Sequence, residues 1–107
     1  MFIREAEFRA KLVKDLTPFR GKFKSVTGPG RSGAIAAVYA SHFLGIPFLP
    51  YGIEIPQELT PLLLVDTASM SGKTLRKAQK KTNAALSWAF FKEPPRVKFW
   101  YETMAIK

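Results

Sequence analysis

At 107 residues with 47% hydrophobic composition, the chain is long enough to bury one core and leaves little room for a second. The absence of cysteine excludes a disulfide framework, a thiol nucleophile and a thiolate metal site, and suits a reducing cytoplasm. A formal charge of +9 and a pI near 10.1 favour anionic partners, whether small phosphorylated ligands, nucleic acid or an anionic surface. No apolar stretch approaches the roughly 20 residues of a membrane span, since Gly28, Pro29, Gly45, Pro47 and Pro50 break the candidates. Arg4, Glu5 and Glu7 stand where a signal peptide would carry apolar residues, so the expectation is a soluble, unprocessed, cytoplasmic protein without a membrane partner.

Taken in chain order, Phe2, Ile3, Ala6, Ala10, Val13 and Leu16 recur at helical spacing with charges between them, which predicts an amphipathic helix within residues 1–20 that stops before Pro18. Residues 22–27 read as a short strand, Gly28-Pro29-Gly30-Arg31-Ser32-Gly33 as a tight loop, and 34–44 as an apolar helix buried on most sides and stopped by Gly45. Residues 46–51 suggest a second strand, confined to an edge or strand end by Pro47 and Pro50. Leu62 to Asp66 reads as the central strand and Gly72 to Asn83 as a third helix, with Leu75, Ala78, Gln79 and Thr82 inward and Lys73, Arg76, Lys77, Lys80 and Lys81 as a basic stripe. That stripe suits a solvated face or one that attracts ligand or nucleic acid. Strands at 86–91 and 97–104 complete the pattern, separated by Glu93-Pro94-Pro95. Alternating strands and helices indicate a single domain over 1–107, a three-layer α/β sandwich whose mainly parallel central sheet places the strand C-terminal ends, and both glycine-containing loops, on one rim.

The densest chemical signal is Leu62-Leu63-Leu64-Val65-Asp66-Thr67-Ala68-Ser69-Met70-Ser71-Gly72-Lys73-Thr74-Leu75. A buried strand ends there in one carboxylate and a small-residue loop that opens a helix. Backbone N–H groups at a helix start lack intrahelical partners and carry the positive end of the dipole, so an anion seated there is bonded several times over. Ser71 and Thr74 add hydroxyl donors and Gly72 admits close backbone approach. The earlier loop offers further backbone donors and Arg31, whose planar fork suits phosphate oxygens. Two such loops on one rim suit a ligand with two phosphate centres.

Val26-Thr27-Gly28-Pro29-Gly30-Arg31-Ser32-Gly33, followed by a small-residue helix and Leu44-Gly45-Ile46-Pro47, resembles the pyrophosphate loop of type I phosphoribosyltransferases. The run from Leu63 to Leu75 is similar to that family's phosphoribosyl-diphosphate signature, particularly its hypoxanthine-guanine branch, and the two matches keep the family's order across residues 22–104. The resemblance implies a Rossmann-like phosphoribosyltransferase core in which Met70, Ser71, Gly72, Lys73 and Thr74 wrap a 5′-phosphate. It implies that Asp66, with Thr67 beside it, meets the ribose hydroxyls directly or beside a Mg²⁺ ion held mostly by the ligand's diphosphate. Gly30, Arg31 and Ser32 would face pyrophosphate, with Arg31 and Asp66 carrying catalysis by charge and positioning, and Phe99 or Trp100 would be stacking candidates for a nucleobase. Aromatic residues on a strand also serve as core.

The chain departs from the family pattern where the second of two adjacent acids is replaced by Thr67, where a carboxylate base is replaced by Met70, and where a long flexible loop and hood shrink to residues 51–60. A second subunit in a homodimer could supply cover, with Phe8 or Trp88 as exposed contacts. Ser71-Gly72-Lys73-Thr74 also looks like the end of a P-loop, but Thr67 occupies the position of its first glycine. His42 has no carboxylate or histidine at ligand spacing and reads as structural, and Glu54 and Glu58 read as solvated loop carboxylates. Two functions remain: a minimal enzyme that exchanges the pyrophosphate of 5-phosphoribosyl-1-diphosphate for a nitrogenous base, or a non-catalytic nucleotide, nucleic-acid or partner-binding module on the same fold.

Overall fold

The computed structural model describes residues 2–68, 73–91 and 98–103. Strand β1 (Phe2–Ile3) leads into α1 (Glu5–Leu16) and a 3₁₀ turn, then β2 (Ser25–Thr27), α2 (Gly30–Leu44), a 3₁₀ turn at Gln57–Leu59, β3 (Leu62–Ala68), α3 (Lys73–Thr82), β4 (Leu86–Phe91), β5 (Lys98–Phe99) and a last 3₁₀ turn, Trp100–Thr103. The sheet has the order β2-β3-β4, all parallel, with Ser25 opposite Leu62 and Leu63 opposite Leu86. β3 is its centre, which is why Leu62, Leu63, Leu64 and Val65 form an unbroken apolar run: both of its faces are covered.

The two faces are filled differently. Leu63, Val65, Val26 and Trp88 look toward α1 and α2, whereas Leu62, Leu64 and Ala89 look toward Leu75 and Ala78 of α3. The result is the three-layer α/β sandwich with a parallel centre that the alternation of elements predicts. On the first face Phe8 is fully buried, with ring centroids at 5.5 Å from Trp100, 5.6 Å from Tyr39, 5.8 Å from Trp88 and 5.9 Å from Phe90. Mostly edge-on or tilted rings at these spacings add to the area they bury.

Several local expectations change. The buried stripe of α1 is Phe8, Leu12 and Leu16, and Ala6 and Ala10 are exposed, because the larger side chains take the core when two i, i+4 rows compete. Phe2 and Ile3 are not helical: they pair in parallel with Lys98 and Phe99, and Arg4 N–H then donates to Glu7 Oε1 at 3.3 Å at the helix start. Residues 46–51 contribute a single parallel bridge, Phe48 with Val26, as two prolines allow. The last strand is two residues long before it turns into 3₁₀. α2 buries one face only, Gly33, Ala36, Ala37 and Ala40, and Val38 is 42% exposed. Phe8 and Trp88 are core residues, not exposed contacts, and the large apolar side chains left exposed among the described residues are Phe2, Val38 and Ile53. Among the described residues no helix is long and apolar enough to cross a membrane.

Candidate functional site

The C-terminal ends of β2 and β3 meet the first turn of α2. α2 begins at Gly30, four residues before the predicted helix, so Gly30, Arg31, Ser32 and Gly33 belong to a helix start and not to a free loop. Pro29 caps that start in an extended conformation, and Gly30 at φ 66° turns the chain into the helix with open space around it. Gly28 and Gly33 do something else. A Cβ on Gly28 would stand 2.0 Å from the Gly33 carbonyl oxygen and 2.6 Å from that of Val65, and one on Gly33 would stand 2.5 Å from the Gly28 carbonyl carbon. The glycines clasp helix, loop and central strand backbone to backbone, which fixes where the N–H groups of α2 emerge.

Against that clasp lies Asp66, 5% exposed. Its Oδ1 accepts from the Thr67 N–H at 2.7 Å and from Ser32 Oγ at 3.3 Å. Burial pushes the carboxyl up to about 6 from its ordinary 3.8, against the pull of those two donors. A buried carboxylate at a strand end, with its pKa raised by burial, is a candidate functional group. The hydroxyl of Thr67, the next residue, shares a 2.8 Å hydrogen bond with the hydroxyl of Tyr101. Burial raises the Tyr101 phenol, its bonds to Thr67 and Ser32 pull it back, and the charges of Glu102 and Asp66 raise it further.

Asp66, Thr67 and Ser32 are therefore brought together. Gly30 and Arg31 are exposed on the same helix start. Met70, Ser71 and Gly72 lie outside the described residues, and Lys73 and Thr74 occupy the first positions of α3, which starts seven residues after Asp66. Phe99 is a core residue at 2% exposure, and Trp100 is part-buried among Phe8, Tyr39 and Tyr101. Residues 51–60 do not stand over the rim. Tyr51 and Ile55 pack on the α3 layer, and Ser25 Oγ donates to the Leu59 carbonyl at 2.6 Å. No motif marks Tyr101, which stands 34 residues from Thr67 in a segment whose signal is its run of aromatic residues. Nor does any local pattern mark the Thr27 hydroxyl, fully buried one residue before Gly28, which lacks a hydrogen-bond partner among the described residues. A cavity of about 460 Å³ between α1 and α2, lined by Leu12, Val13, Val38 and Phe43 with the exposed His42 at its edge, includes none of the candidate residues.

Parallel strands with helices on both faces, and a carboxylate and helix start at the strand C-terminal ends, define the doubly covered α/β class that binds ligands at this rim. Comparison with solved structures narrows the class: the chain has the fold of the type I phosphoribosyltransferases. It is similar to the Helicobacter pylori xanthine-guanine-hypoxanthine phosphoribosyltransferase (TM-score 0.70, 17% identity, 95% of this chain and 91% of that one). It is equally similar to the purine phosphoribosyltransferase of Pyrococcus horikoshii (TM-score 0.70, 20% identity, 100% and 97%). A hypothetical protein from Neisseria gonorrhoeae with bound ppGpp has a related structure (TM-score 0.59, 16% identity, 92% and 80%). No protein-family model matches the sequence, and no curated protein matches it, so the likeness is one of fold.

Proposed function

We propose that the rim formed by β2, β3 and the starts of α2 and α3 binds a phosphorylated ribose, 5-phosphoribosyl-1-diphosphate or a nucleotide, and that the protein transfers the phosphoribosyl group to a nucleobase. The observation that carries this reading is Asp66, buried at the end of the central strand and hydrogen-bonded by Ser32 from the first turn of α2. Its carboxylate would accept from sugar hydroxyls. The N–H groups of α2 and the exposed Arg31 offer donors for a diphosphate, and the start of α3 offers them for a 5′-phosphate. The purine phosphoribosyltransferases with which the fold is shared support a purine as acceptor.

Mg²⁺ fits this rim in one way. Among the described residues no cluster of three His, Cys, Asp or Glu side chains exists, so Asp66 would contribute one ligand and the diphosphate oxygens of the bound molecule would supply most of the coordination. Bound so, the ion would neutralise charge on the leaving diphosphate. Asp66 would hold it in place, and Arg31 would bind the same oxygens.

One observation favours a second reading, a nucleotide-binding module without turnover. Thr67 stands where the resemblance implies a second acid, and its hydroxyl is engaged with that of Tyr101. The ppGpp-bound neighbour supports nucleotide binding on this fold. Calorimetry with 5-phosphoribosyl-1-diphosphate and Mg²⁺, with ATP and pyrophosphate as competitors, tests the site. Selective binding that Asp66→Asn weakens at least tenfold is expected, and equal binding of all three ligands overturns the reading. Incubation of the same complex with guanine, hypoxanthine or xanthine then separates the enzyme, which releases pyrophosphate, from the module, which does not.

A further inference from the structure

The outer face of α3 is built against its own helix. Arg76, Lys77, Lys80 and Lys81 are all exposed, and no acid stands in the first turn, which begins with Lys73. A solvated helix ordinarily alternates signs, with acids near its start and Glu–Lys pairs four residues apart. Here Arg76 faces Lys80 and Lys77 faces Lys81, like charges at the spacing where they repel, and the cations at the N-terminal end oppose the dipole. Among the described residues the ion pairs, Arg9–Glu5 and Lys11–Asp15, both lie within α1, so none relieves this face. Among the described residues the contact that offsets this repulsion is the Lys81 ammonium over the Tyr51 ring. A polyanion laid along the helix would remove the repulsion.

Which polyanion is decided by the neighbours of the stripe. The apolar side of α3, Leu75 and Ala78, is buried on Leu62, Leu64 and Ala89, so the helix has no free hydrophobic face to insert into a lipid surface. At the edge of the stripe the Lys81 ammonium lies 5.7 Å from the ring centroid of Tyr51, which is part-buried. Cations that can track a phosphate backbone, with an aromatic ring at their edge, are the elements of a single-strand binding surface; a base that stacks on Tyr51 would displace the Lys81 ammonium from over its ring. We propose that the exposed face of α3, Arg76, Lys77, Lys80 and Lys81 with Tyr51 beside Lys81, is a docking surface for single-stranded nucleic acid. This surface is separate from the ribose-phosphate reading of the rim and stands whether or not that reading holds.

Fluorescence anisotropy of the full chain with a labelled single-stranded RNA 20-mer tests it, with circular dichroism to show that each variant folds. If each of the four cations meets a phosphate, the salt slope is about −3, a loss of roughly 50-fold between 50 and 200 mM salt. Lys77→Glu with Lys80→Glu is expected to lower affinity at least tenfold and flatten the slope. Lys14→Glu with Lys24→Glu, an equal change of net charge at exposed positions elsewhere, is expected to lower it less than threefold. Tyr51→Leu is expected to weaken the single strand more than a duplex of the same length. Equal losses from both charge-reversal pairs would show attraction by net charge only and overturn the surface. Competition by phosphatidylserine vesicles as strong as that by unlabelled RNA would assign the face to membranes and overturn it as well.

Discussion

α2 and α3 start on the same rim of the same sheet but are attached to it in opposite ways. α2 is bound by its backbone: Gly28 and Gly33 leave no room for a Cβ between helix, loop and β3, and Ala36, Ala37 and Ala40 continue the close approach. α3 is bound by side chains, chiefly Leu75 and Ala78, and carries a row of like positive charges on its other face. The difference teaches how one rim divides its tasks. The α2 side fixes where the helix donors emerge, whereas the α3 side supplies charge.

The sharpest way to break this comparison is Gly28→Ala. With a Cβ placed 2.0 Å from the Gly33 carbonyl oxygen, backbone must move, and a loss of about 4 kcal/mol or failure to fold is expected in a denaturant titration. A change below 1 kcal/mol would mean that the clasp is loose. Leu75→Ala, which removes the main anchor of α3, is expected to cost about 3 kcal/mol, the ordinary penalty for a buried leucine, with the chain still folded.

Asp66 sits between the two helices, and its titration has a definite sign. With a folded pKa of about 6, above the ordinary 3.8, the native state binds the proton more tightly than the unfolded chain, so stability falls as pH rises from about 4 to 6 and stays lower above it. Asp66→Asn is therefore expected to stabilise the protein by about 2 kcal/mol at pH 8, and little at pH 4, while it weakens ligand binding. Equal unfolding free energies of wild type and variant at pH 8 would show that the carboxylate is not penalised. The smallest effect is expected from Lys77→Glu, which places an acid among like charges near the start of α3 and should raise stability by about 0.3 kcal/mol at low salt. A loss of stability there would mean that the basic stripe holds the fold together.

Much of this architecture is legible in local pattern. The β4 boundaries at 86–91, the apolar run of β3 and the inward row Leu75, Ala78, Gln79 and Thr82 follow from strand and helix periodicity, since each element has one dominant apolar face. The α1 stripe is misread because two rows of apolar residues compete on one helix, and which row wins depends on the rings of Trp88, Phe90 and Trp100 that arrive from the far end of the chain. Phe2–Ile3 becomes a strand because β5 offers it a partner 96 positions later, a pairing for which no local signal exists. The same reason hides Tyr101 from motif analysis.

The sequence by itself determined the class of fold, the single carboxylate at the end of the central strand, the glycine pattern after β2 and the charge of α3. These depend on neighbours within a few residues, where periodicity, turn chemistry and helix-end electrostatics act. Only the tertiary structure decided that Gly28 and Gly33 clasp backbone against backbone, that Ser32 reaches Asp66, that burial raises that carboxyl, and that Thr67 bonds to Tyr101. Apart from the Gly28–Gly33 contact itself, which spans five residues, each of these requires segments more than thirty residues apart, as where Gly28 meets Val65, or the exclusion of water by the assembled core.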